Sequence, residues 1–133
     1  LAFGVKGKQE KGKGIKEERE ITMTDRQYYF CVAEAANYDD PDAYISDIAL
    51  STIWGDAPDA PIPPERLENL RDIYTAATRT VREIVAHSGL SQAAFAERYC
   101  IPKRTVENWC TESRECPIYL RLLLQRAENL ITF

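Results

Sequence analysis

One histidine, one methionine and four scattered cysteines leave this 133-residue chain with few of the side chains that most catalysis and metal binding use. There is no glycine-rich phosphate loop, no nucleophile elbow and no obvious triad partner for His87, so an enzyme is not expected. Asp39, Asp40, Asp42 and Asp47 do cluster, but at an expected helix start, where capping accounts for some of them and solvation for the rest. Cys31, Cys100, Cys110 and Cys116 are too few and too irregularly spaced for a disulfide framework and are expected as reduced thiols. A zinc set of Cys100, Cys110, Cys116 and His87 has enough ligands, but it lacks a C-x-x-C pair. Small buried apolar residues are the better reading of these cysteines, and neither a metal nor a cofactor is expected. No run approaches the roughly 18 apolar residues of a membrane span, and LAFGVKGKQEKGKG lacks the apolar block of a signal peptide. The expectation is a cytoplasmic protein with no membrane segment.

What is present is an ordinary globular composition, 44% hydrophobic and 29% charged, with room for one domain and an appendage. The charge is unevenly spread. Residues 1–23 hold six Lys/Arg and four Asp/Glu, residues 24–65 one and nine, and residues 66–133 ten and eight, giving nets of +2, −8 and +2. A formal total of −4 therefore does not exclude a polyanion as partner, because phosphate contact depends on the local cationic patch. Residues 1–22 have no apolar period and are expected as a disordered basic tail. Glu17 to Glu20 back-translates to a purine-rich string shortly before Met23, as a ribosome-binding site read in frame would, so translation is expected to start at Met23. Peptides from residues 1–22 in a mass spectrum of the native protein would show otherwise.

Three segments are expected: the tail, an acidic extension with its connector over 23–63, and a main domain over 64–133. The stretch DRQYYFCVAEAANY suits a short helix or an extended arm. Asp40 as N-cap, Pro41 and the spacing of Tyr44, Ile45, Ile48, Ala49 and Ile53 predict a helix over about 41–54, stopped by Gly55. GDAPDAPIPP is a stiff connector and a plausible boundary. A single long helix is predicted from Pro64 to His87, its stripe formed by Leu67, Leu70, Tyr74, Ala77, Val81, Ile84 and Val85 and its end marked by Gly89. No strand-like alternation is present, so the class is all-α.

From Leu90 onward the signals are dense. Ser91 is an N-cap, Leu90 and Phe95 are placed for a hydrophobic staple, and Ala96 is small enough for two helices to cross. Cys100-Ile101-Pro102 breaks the chain, and a second short helix runs to about Cys110 with Val106 and Trp109 facing inward. Two short helices about such a turn make a helix-turn-helix unit. Over residues 88–117 the stretch resembles the Xre-type, phage-repressor-like helix-turn-helix family: Gln92 opens the motif, Ala96 follows, Cys100 takes the turn, Ile101 comes next, and Val106 and Trp109 lie in the second helix. The resemblance implies a lambda-repressor-like domain with an N-terminal helical extension, binding double-stranded DNA through a recognition helix over about 102–110. It implies a phosphate or positioning role for Gln92, base or phosphate contacts for Lys103, Arg104, Thr105 and Asn108, and a phosphate contact for Arg114. Arg and Lys pair with guanine and Asn with adenine, so these residue types suit the task. Two departures stand out. The turn holds Cys100 where the family usually has glycine, and Glu107, Glu112 and Glu115 lie on or near the DNA side, with Glu107 able to brace Arg104.

The last helix, from Cys116-Pro117, carries two apolar stripes. Tyr119, Leu122, Leu123, Ala127 and Leu130 are expected to close the core. Leu120, Leu124 and Ile131 either pack on the helix over 64–87 or form a homodimer interface. The resemblance implies a transcriptional regulator of a bacterial or mobile-element operon. The alternative is a protein-interaction adaptor or antitoxin-like module on the same fold, its acidic segment bound to a protein partner.

Overall fold

The computed structural model describes residues 21–133. Those residues fold as α-helices with one 3-10 turn: α1 Asp25–Ala35, α2 Pro41–Ala49, the turn Thr52–Trp54, α3 Pro64–Thr78, α4 Val81–Ser88, α5 Gln92–Arg98, α6 Lys103–Cys110 and α7 Ile118–Ala127. The all-α class is as expected. The expected basic tail lies outside the described residues apart from Ile21 and Thr22, and Ile21 packs against the core.

The undecided stretch before Asn37 is the helix α1. Its start is a reciprocal cap: the Thr24 hydroxyl accepts from the Gln27 amide at 3.1 Å, and the Gln27 side chain accepts from the Thr24 amide at 2.9 Å. In α2 the Asp40 carboxylate accepts from the Ala43 amide at 3.0 Å, as its sequence implies. The helix expected to reach residue 54 ends at Ala49 instead. Ser51 turns extended and caps the 3-10 turn, Trp54 donates its indole N–H to the Ile48 carbonyl at 2.8 Å, and Gly55 closes the segment at φ +68°.

The long helix expected over 64–87 is two helices. Arg79 adopts an extended conformation, and Thr80 then starts α4 with a second reciprocal cap involving Glu83. The break leaves the last carbonyls of α3 without intrahelical donors, and α7 supplies them. Gln125, fully buried, donates to the Ala76 carbonyl at 2.8 Å and accepts from Arg79 at 2.7 Å. Arg121 donates to the carbonyls of Ala77 at 2.9 Å and Arg79 at 2.8 Å.

That capping role sets which face of α7 turns inward. Leu122, Leu124 and Gln125 are buried, whereas Tyr119, Leu123 and Ala127, expected inside, are exposed. Of the two alternatives for Leu120, Leu124 and Ile131, intramolecular packing is the one seen: Leu124 and Ile131 are buried within the chain and Leu120 is partly buried.

Two apolar clusters result. The first joins α1, α2 and α3, including Cys31, Tyr44, Ile48, Leu70, Ile73 and Tyr74, and takes Leu122 and Ile131 from the C-terminal region. The second joins α4, α5 and α6 through Val81, Ile84, Phe95, Ala96, Val106 and Cys110, closed by Cys116 and Leu124. The proline-rich connector does not separate them, because helices on both sides of it share the first cluster. The division falls at Arg79, and α7 contributes to both sides.

Candidate nucleic-acid interface

The α5–α6 pair is organised by the second cluster. Ser91 caps α5 by accepting from the Ala94 amide at 3.1 Å. At its other end the Cys100 amide donates to the Glu97 carbonyl at 3.2 Å and the Ile101 amide to the Ala96 carbonyl at 2.9 Å, with Cys100 left-handed at φ +56°. This is the Schellman geometry, and the turn position expected to be left-handed is so. Pro102 precedes α6, whose first helical residue is Lys103, one residue later than expected.

Val106 and Cys110 are buried under α6. At 100° per residue, Arg104 and Asn108 therefore fall on the opposite face, with Thr105 at its edge. Lys103 and Arg104 are exposed, while Thr105 and Asn108 are half-buried. Glu107 does not brace Arg104; its carboxylate pairs with Lys103 at 3.8 Å, one turn away on the helix surface. Asn108 also organises the following loop, its carbonyl accepting from the amides of Ser113 at 3.0 Å and Arg114 at 3.3 Å. Gln92 opens α5 half-buried and makes no hydrogen bond to α6 among the described residues. Arg114 is exposed in the loop after α6, in the same stretch as the exposed Glu112 and Glu115.

Sequence reasoning missed the group that ties this pair to the rest of the chain. Glu128, just after α7, has a nearly buried side chain and accepts from the Tyr99 hydroxyl and from Arg98 at 3.1 Å. Burial, and then the Glu128 carboxylate, hold the Tyr99 hydroxyl above its ordinary pKa. No local spacing pointed to it, because the partners are about thirty residues apart.

Cys110 and Cys116 are buried and Cys100 is exposed. Burial pushes the Cys116 thiol up to about 11 and raises that of Cys110, so both are neutral, packed side chains at physiological pH. Among the described residues no three His, Cys, Asp or Glu side chains are grouped to hold a metal ion. None of the described helices is long and apolar enough to cross a membrane.

Fold and site together define an all-α protein that presents a short, partly cationic helix from its second core. No protein-family model, curated protein or solved structure matches the chain.

Proposed function

We propose that the chain is a sequence-specific DNA-binding regulator that places α6 in the major groove. The observation that carries this reading is the orientation of α6: with Val106 and Cys110 buried, the helix turns Arg104 and Asn108 outward behind an exposed Lys103 at its N-terminal end. A recognition helix reads base edges from that end. Arg104 suits guanine, Asn108 suits adenine, and Thr105 suits a phosphate or a thymine methyl. Arg114, in the next loop, is suited to the backbone. The Lys103–Glu107 pair and the exposed Glu112 and Glu115 reduce the net attraction to phosphate, so specific affinity is expected to be modest.

The test is fluorescence-polarisation binding of the full chain to DNA from upstream of its own gene, across a salt series, beside the Lys103→Ala/Arg104→Ala variant. The reading expects specific binding that is lost in the variant, with a salt slope shallower by about 1 for each phosphate-contacting cation removed. Absence of binding to any duplex at low salt would overturn it in favour of a protein-interaction module. The exposed Tyr29 and Leu50, in the acidic segment, would then be the first surface to probe.

A further inference from the structure

A cleft of about 450 Å³ lies where the α3–α4 break, the end of α6 and the start of α7 meet. Its size falls in the range of small-molecule sites, roughly 300–1,000 Å³. Three arginines line it: Arg79, Arg114 and Arg121. Arg79 and Arg121 are partly withdrawn from water, yet the groups their guanidiniums bond are neutral. Arg79 donates to the Gln125 amide oxygen, and Arg121 to the carbonyls of Ala77, Arg79 and Cys116. The ion pairs among the described residues belong to Arg66, Arg71, Arg98 and Lys103. Charges taken partly from water ordinarily acquire a counter-charge, and among the described residues no carboxylate forms an ion pair with Arg79 or Arg121. Trp109, half-buried and packed in part against the second cluster, also lines the cleft. Glu112 and Glu115 also line it and leave a formal net of +1 from three guanidiniums and two carboxylates.

We propose that this cleft binds a free organic phosphate, its oxyanion held by the three guanidiniums and a flat body laid against Trp109. Guanidinium groups match phosphate oxygens in pairs, which a single ammonium does not. The same oxyanion chemistry is carried by a DNA backbone, so the test separates the two sources. The site does not depend on the DNA-binding reading. Any effect of its occupancy on DNA does depend on it, because a ligand held by Arg114 withdraws that side chain from the backbone.

The experiment is isothermal titration of the full chain with adenosine monophosphate, inorganic phosphate and adenosine at constant ionic strength, without DNA. Expected is one saturable site for the monophosphate, competition by inorganic phosphate, and no comparable binding of adenosine. Arg114→Gln, an exposed change with little bearing on folding, is expected to weaken binding about tenfold or more, and Glu112→Gln to tighten it. Lys103→Ala/Arg104→Ala is expected to leave monophosphate binding intact whether or not the chain binds DNA, so failure of one reading is not confused with failure of the other. The proposal is overturned by any of four outcomes: no saturable heat at about 10 mM probe; adenosine binding as well as its monophosphate; an unchanged affinity in Arg114→Gln; or loss of the site in the Lys103/Arg104 variant, which would place the oxyanion on the DNA surface.

Discussion

Cys100, Glu112 and Asn129 hold left-handed backbones at φ +56°, +63° and +60°, each just past a helix end. Asparagine tolerates that region; cysteine and glutamate are strained in it by their Cβ atoms. At Cys100 the strain is retained because the Ile101 and Cys100 amides satisfy the last carbonyls of α5 only in this geometry. Cys100→Gly is therefore expected to raise stability by up to about 1 kcal/mol, seen as a higher urea midpoint at unchanged slope. Cys100→Ala keeps the Cβ and is expected to bring no such gain, which separates backbone relief from loss of the thiol. This was the most legible residue of the site, since a two-helix pattern fixes its turn position. The α6 face was legible too, because one buried valine orients eight residues. The partner of Glu107 was not, since a carboxylate between cations at i−4 and i−3 is settled by rotamers that spacing does not specify.

Among the elements, the helix left undecided in the sequence and the long helix that proved to be two share one cause. Thr24-x-x-Gln27 and Thr80-x-x-Glu83 are both reciprocal caps, and both are used. Recognising the first settles α1 as a helix; recognising the second divides the helix over 64–87, where an unbroken apolar stripe hid the break. Leu67, placed on that stripe, is exposed. For α7 the apolar pattern was ambiguous, since YLRLLL offers leucine in most directions, and the polar residues decided the matter. Gln125 and Arg121 face inward because they finish α3. Gln125→Met, apolar and of similar length, is accordingly expected to destabilise the fold by about 1–3 kcal/mol in chemical denaturation, since it strands the Ala76 carbonyl and the Arg79 guanidinium. A stabilised or unchanged variant would show that water replaces both partners there.

For the whole molecule, charge and core divide together. The helices and connector of the strongly acidic segment belong with the first cluster, and α6 belongs with the second, so surplus acid and proposed DNA surface are built on different cores. Composition showed the asymmetry; it did not show that the acidic helices cover α3. Residues 64–133 alone would expose Leu70 and Ile73, both fully buried, together with Tyr74. Each apolar side chain uncovered forfeits roughly 1.5–3 kcal/mol, against a total stability of about 5–15 kcal/mol for an ordinary domain. That fragment is expected to show weak helical circular dichroism and a broad thermal transition when expressed by itself. The remedy lies in the other end of the chain. Phe133 packs edge-on to Tyr28 with ring centroids 6.1 Å apart, and Arg126 bonds both the Phe133 carbonyl at 2.6 Å and the Tyr28 hydroxyl at 3.1 Å. The last described residue thus rests on the first helix, while the connector at Asp56–Ala60 is exposed. A circular permutant that opens in that connector and joins residue 133 to residue 21 by a short flexible linker restores every helix the fragment lacks in a new order along the chain, and it is expected to recover a cooperative melt.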